Sequence, residues 1–178
     1  MKTFICCIYL LTLVFSSATR SADLVELQLI ERLDEARGFC IDIRGHKKRA
    51  KIRKGLQAHS CYSYQGEIAV DQAFDKDLLN QESFFLPAFN VCMEVEGYFE
   101  NAKLLLRRCS GQDFQRFKLT QTGQIKLVSG DNLCVAIGRT KSREGGGGSP
   151  PHLIRPINLQ DCSKIDTKHT TWMTYSLE

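Results

Sequence analysis

Cys40–Phe74 reads CIDIRGHKKRAKIRKGLQAHSCYSYQGEIAVDQAF, and its plan decides how the chain folds. A cysteine opens the stretch and a second, Cys61, closes a loop filled with basic residues. Gln72-Ala73-Phe74 then ends it as Gln-x-Phe. The opening step, Phe39-Cys40-Ile41-Asp42-Ile43, alternates apolar and other residues, as a half-buried strand does.

The plan recurs twice downstream. Val91–Val95 (VCMEV) and Leu133–Ile137 (LCVAI) repeat the apolar-cysteine step. Second cysteines follow at Cys109 and Cys162, and aromatic residues after them at Phe117 and Trp172. Gln115-Arg116-Phe117 repeats the Gln-x-Phe ending, whereas the last unit reads Thr170-Thr171-Trp172. Thr122-Gly123 and Ser129-Gly130-Asp131-Asn132 are turn signals between short strand-like runs. A unit of this size cannot bury its apolar face alone, but stacked units can. The expectation is an all-β fold, a β-trefoil with three pseudo-repeats and Phe74, Phe117 and Trp172 at equivalent core positions. A β-sandwich with coincident spacing is the alternative.

Asp23–Arg37 is ambiguous. Leu24, Leu27, Ile30 and Leu33 fit a helical stripe, while Leu27 and Leu29 fit a strand. The repeat favours strand–turn–strand over Leu27–Ile43. It also lets Leu27–Ile30 supply the return strand that the last unit, ending at Trp172–Leu177, lacks.

The length of 178 residues suits one domain with a real core. Residues 1–18 read as a signal peptide: Lys2, an apolar run over Ile5–Phe15, then Ser16-Ser17-Ala18. An uncleaved anchor is the competing reading, but the run is short for a bilayer span. Residues 19–178 are then a secreted, extracellular domain with no transmembrane segment. Cys6 and Cys7 leave with the signal, and six cysteines remain. An even count in a secreted chain suggests disulfides. The repetition selects one per unit: Cys40–Cys61, Cys92–Cys109 and Cys134–Cys162. No Cys-x-x-Cys and no closely spaced His pair offers a zinc site, and no cofactor is expected.

The net charge of +4 hides an uneven distribution. Arg44, Lys47, Lys48, Arg49, Lys51, Arg53 and Lys54 crowd one loop with no acid among them, and the rest of the secreted chain is net negative. Such a patch attracts anions, whether sulfated glycans or acidic lipid surfaces, or it is simply a solvated loop or a processing site at Lys47-Lys48-Arg49. Nucleic acid is not an expected partner, because no aromatics interleave the cations. Gly145–Gly148 followed by Ser149-Pro150-Pro151 reads as a mobile surface loop rather than a phosphate cradle, which would need a preceding strand and a Gly-Lys-Ser/Thr ending. No Ser/His/Asp or Cys/His arrangement supports catalysis, so an enzyme is not expected.

Cys40-Ile41-Asp42-Ile43, Leu56–Cys61 (LQAHSC) and Asp71-Gln72-Ala73-Phe74 together resemble a repeat of the ricin B-type lectin family. The cysteine-rich domain of the mannose receptor family is a similar trefoil. The resemblance implies a sugar site in the first unit. There Asp42 would accept hydrogen bonds from vicinal hydroxyls, Gln57, Asp71 and Gln72 would complete the polar set, and His59 would stack on the sugar ring. His59 stands where the family has a larger aromatic, and Asp71 where it has Asn. The second unit carries Glu94, Leu105, Arg107 and Phe114 at these positions, and the third Ala136, Asn158 and Gln160, so neither matches. The expected partners are glycans or glycoproteins, with a bias to acidic or sulfated ones through the basic loop. The competing function is a protein-interaction trefoil, a ligand, inhibitor or toxin subunit, without sugar binding.

Overall fold

The computed structural model describes residues 23–177. The expected signal peptide, with Cys6 and Cys7, lies outside the described residues. The chain is almost entirely strand and turn. β1 runs over Leu24–Leu29, and Val25, Leu27 and Leu29 are buried at period two, which settles the ambiguous N-terminal stretch as strand. Leu33 and Gly38, both at positive φ, turn the chain into β2 (Phe39–Ile43). β3 covers Leu56–Ser60 and β4 Phe74–Asp75.

β5 (Phe85–Leu86), β6 (Val91–Val95) and β7 (Leu104–Arg107) form a three-stranded sheet. β8 (Phe117–Leu119), β9 (Ile125–Leu127), β10 (Leu133–Ile137) and β13 (Ile157–Asp161) form a second, in the order β13-β10-β9-β8. β11 (Arg143–Glu144), β12 (Leu153–Arg155) and β14 (Trp172–Tyr175) complete the largest sheet, ordered β11-β12-β3-β2-β1-β14 with β4 also pairing β1. β1 does supply the return strand of the last unit, running antiparallel to β14 from Glu26↔Tyr175 to Leu29↔Trp172.

Three hairpins share one register. Cys40 lies opposite His59, Cys92 opposite Arg107 and Cys134 opposite Gln160. In each, the second cysteine follows two residues after that partner. Phe74, Phe117 and Trp172 each begin a strand and are buried. Phe84 joins the two phenylalanines edge-on, with ring centroids 6.3 and 5.8 Å away. The Trp172 Nε1–H donates to the Val135 carbonyl at 3.0 Å.

Two expectations need correction. β2 and β10 are buried at every position rather than half-buried, and β3 is buried throughout as well. For β2 and β3 the reason is a roof of loops over their polar face, described below. The disulfides Cys40–Cys61 and Cys92–Cys109 are formed, but Cys134 and Cys162 are free thiols. Their backbone matches the first unit closely: Cys162 N–H donates to Asn132 at 2.9 Å, as Cys61 N–H does to Gly38 at 3.0 Å. Burial, and then the neighbouring Cys162 thiol, pushes the Cys134 thiol up, which keeps it protonated and a poor nucleophile.

Candidate functional site

The first hairpin sets Asp42 directly opposite Gln57, so the two side chains share one face. The Gln57 amide donates to Asp42 Oδ2 at 2.9 Å and the Gln72 amide to Oδ1 at 3.4 Å. Gln72 is also a latch on the Cys61 corner. Its Oε1 accepts the Tyr62 N–H at 3.0 Å and its Nε2 donates to the Ser60 carbonyl at 3.1 Å. Gln115 does the same in the second unit, bonding Ser110 N–H, the Arg108 carbonyl and Glu94. The Gln of Gln-x-Phe therefore holds backbone in both units.

Asp71 folds the basic segment over this hairpin. Its Oδ1 accepts the Lys47 N–H at 2.8 Å and its Oδ2 meets His46 Nδ1 at 2.9 Å. Lys47 is held at positive φ by this contact, opening a 3-10 turn over Lys47–Arg49, and a second turn follows at Ile52–Lys54. Gly55 closes the segment at positive φ, where a Cβ would lie 2.3 Å from the Leu104 carbonyl.

Opposite stands the glycine segment, and it is not a free loop. Gly145 N–H donates to His152 at 2.6 Å and His152 N–H to Gly147 at 3.0 Å. Arg37 clamps its far end, donating to the Pro150 and Pro151 carbonyls at 3.0 and 2.8 Å. The same guanidinium forks onto Glu35 with two 2.7 Å bonds. Glu35 accepts a very short bond from the Ser60 hydroxyl, which in turn receives the Leu153 N–H at 2.8 Å. Burial alone would raise the Glu35 carboxyl, but its bonds from Arg37 and Ser60 outweigh that and bring it down to about 2.

Between the two walls lies a pocket of about 680 Å³, within the size range of ligand sites. Of the five expected sugar-binding residues, Gln57 and His59 line it; Asp42, Asp71 and Gln72 are buried beneath. Of the seven basic residues, Lys47, Arg49 and Lys51 line it, while Lys48, Arg53 and Lys54 point elsewhere at the surface and Arg44 is half-buried. Asp42 is sealed off and its carboxyl is pushed well above the carboxylate range by burial, and further by the Asp71 charge. His59 is 6% exposed, with its ring stacked on Tyr62 at 5.1 Å. One face expected to meet a sugar is thus already covered. Burial lowers His59 to about 4, so it is neutral at pH 7, with Nδ1–H on the Ser60 carbonyl at 2.9 Å.

Tyr62, Gln65, His152 and the glycine segment also line the pocket, and none was legible as a site residue. Only the run of glycines and prolines marked that place in the chain. Among the described residues, Glu26, Cys40 and Cys61 have metal-ligand spacing, but the two sulfurs are spent in their disulfide.

Asp42→Asn is expected to keep the fold. The new amide can donate to Gln57 once the Gln57 amide flips, while its oxygen still accepts from Gln72. A raised carboxyl pKa costs folding stability as pH climbs above the unfolded value. The variant should therefore melt with wild type near pH 3 and above it near pH 7, a comparison that thermal denaturation at the two pH values makes.

Residues 86–176 match the family of ricin-type β-trefoil lectin domains. The chain belongs to that family. The match begins after the first unit. No curated protein matches the sequence. Solved structures share the ricin-type fold at low identity. The β-trefoil lectin of the Vibrio vulnificus hemolysin/cytolysin, solved with N-acetyl-D-lactosamine, aligns with TM-score 0.57 and 15% identity over 89% of this chain and 98% of its own. The C-half of an earthworm R-type lectin, solved with GalNAc, aligns with TM-score 0.58 and 12% identity over 86% and 98%. The mdaA-1 domain aligns with TM-score 0.60 and 13% identity over 88% and 91%. Among the described residues of this ricin-type lectin domain, no helix is long and apolar enough to cross a membrane.

Proposed function

We propose that the protein is a secreted, non-catalytic carbohydrate-binding module that takes acidic or sulfated glycans in the first-unit pocket. The observation that carries this reading is the pocket itself: a polar floor of Gln57 and His59 with Lys47, Arg49 and Lys51 along one wall. Hydroxyls suit the floor and an anionic group suits the wall. Membership of a lectin family supports the sugar half of the reading, as do sugars bound by structural neighbours. In this reading the module spans residues 19–178 after removal of the signal peptide. It is a threefold trefoil, and the shared cysteine register supports that layout. Asp42, Asp71 and Gln72 then orient the floor and the basic turn from beneath. The likeness to the mannose receptor's cysteine-rich trefoil is part of the same proposal.

A glycan array with sulfated and neutral members tests it. Binding to sulfated members should fall steeply as salt rises, since exposed cations are screened over about 10 Å at 0.1 M. The triple variant Lys47→Ala/Arg49→Ala/Lys51→Ala should bind them about tenfold more weakly or worse. Silence of the wild type across the array would end the reading. The second reading, a protein-interaction trefoil, has one observation in its favour. Tyr98 and Phe114 are exposed and stacked with centroids 4.6 Å apart. A partner that binds in the presence of free sugar and is lost in Phe114→Ser would favour it.

A further inference from the structure

Among the described residues, four peptide bonds follow a pair of basic residues: Lys48–Arg49, Arg49–Ala50, Lys54–Gly55 and Arg108–Cys109. An endoprotease that cuts at such pairs holds the last cation on a carboxylate in its pocket and needs the chain around the bond drawn out as a strand. The fold denies this to two of the four. Arg107 belongs to β7 and pairs with Cys92, the Arg108 carbonyl accepts from Gln115 Nε2 at 3.0 Å, and Cys109 is locked in its disulfide. Gly55 stands at positive φ against the Leu104 carbonyl, and Leu56, 2% exposed, already belongs to β3. The other two bonds lie in a loop without strand. Ile43 and Leu56 face each other at the end of the β2–β3 hairpin, and residues 44–55 bulge out between them. The backbone bonds inside the loop are local: Arg49 N–H to His46 at 2.8 Å, Ala50 N–H to Lys47 at 3.1 Å and Lys51 N–H to Arg44 at 2.6 Å. Lys47, Lys48 and Arg49 are exposed. Asp71 ties the loop down through His46 and the Lys47 N–H.

We propose that the Arg49–Ala50 bond is a processing site, cut by a paired-basic endoprotease to give a two-chain protein held together by Cys40–Cys61. Arg49 is preferred to Lys48 as the cut residue, because a guanidinium forks onto a carboxylate where an ammonium makes only a point contact. Hydrolysis consumes a water and leaves a carboxylate on Arg49 and an ammonium on Ala50. Cys40 then lies on the first chain and Cys61 on the second, so their disulfide joins the two. The strand pairings of β1, β2 and β3 survive, since none involves residues 44–55. The protease reaches the bond by local opening, which lifts Ala50 and Ile52 from the edge of the core and releases the Asp71 tether. Such an opening breaks turns and no ladder, so it lies far below global unfolding in free energy. The cut also alters the pocket. Lys47 and Arg49 pass to a chain end, Lys51 stays beside the new ammonium, and the cationic wall is no longer one continuous loop. The assignment is independent of what the pocket binds.

The test incubates the purified protein, disulfides intact, with a subtilisin-like endoprotease specific for basic pairs, and reads the products on non-reducing and reducing gels. A single species should persist without reductant. Reductant should release two fragments, the larger beginning Ala50-Lys51-Ile52-Arg53. Lys48→Gln/Arg49→Gln should be cut at this bond at least about a hundredfold more slowly, because the protease's carboxylate is left without its partner. His46→Ala removes one of the two contacts to Asp71 and should be cut about two- to tenfold faster. Cleavage of a transiently opened segment tracks the open population, and one hydrogen bond is worth about that factor. A chain left intact at enzyme levels that digest its reduced, unfolded form overturns the assignment. So do a first cut at any other bond, a double variant cut as fast as wild type, and a His46→Ala rate no higher than that of wild type.

Discussion

Trp172→Ala is expected to lower the unfolding free energy by about 3–5 kcal/mol, near the upper end for a single core truncation. Trp172 is 1% exposed and sits where the closing strand pair meets the core, opposite Leu29. Truncation leaves a cavity and also strips the Val135 carbonyl of its partner. For a chain of this size each kcal/mol shifts the melting temperature by about 2–4 °C, so a fall of roughly 6–20 °C should appear by circular dichroism. Trp172→Phe is the informative companion. Phe74 and Phe117 likewise begin strands and are fully buried, so phenylalanine should recover most of the loss and leave mainly the cost of the missing indole hydrogen bond. A Phe variant as unstable as Ala would mean that the three positions are not equivalent in packing.

Arg37→Ala should be nearly as damaging, and for a different reason. It leaves the Glu35 carboxylate, 4% exposed, with only Ser60 and a backbone N–H. Breaking one side of a buried ion pair costs about 3–5 kcal/mol. The pH dependence has a definite sign. Glu35 is lowered to about 2 in the folded protein, so its contribution is full above the unfolded value near 4.5 and fades as pH falls through that window. The gap between wild type and Arg37→Ala should therefore shrink between pH 5 and pH 2. The variant also unclamps Pro150 and Pro151, so trypsin should cut at Arg143 far faster than in wild type. Glu35→Gln/Arg37→Met should recover much of the stability, because no unpaired charge is left, but not the protection of the segment. A double variant no more stable than Arg37→Ala would show that the clamp, and not the charge, carries the stability.

The three hairpins were legible because they are written in spacing. Cys40, Cys92 and Cys134 each begin an alternating step, and that periodicity dictates hairpins whose registers agree. The pairing of Asp42 with Gln57 follows from it. The roles of Asp42 and Asp71 did not, because their exposure depends on what lies above them. Asp71 binds the backbone of Lys47, which turns the basic segment inward over the hairpin, and no local pattern announces a contact between residues so far apart. The second wall was harder still. Arg37, Pro150 and His152 meet only because β12 joins β3, an alignment of the third unit onto the first. Residues whose role comes from a contact between units have no signature within either one. The third cysteine pair shows the converse, since the spacing and register are those of a disulfide and the bond is absent.

The antiparallel pairing of β1 with β14 has a mechanical consequence. Force applied at Leu24 and Tyr175 acts at neighbouring points and pulls the two strands sideways apart, so the register pairs open one after another, from Glu26–Tyr175 inward to Leu29–Trp172. Such peeling loads a single rung of hydrogen bonds at a time, so it yields at lower tension than sliding the same strands lengthwise, which loads every rung at once. Under tension from those two points the fold should open first at this strand pair and expose Trp172, the only tryptophan, whose emission would report the event.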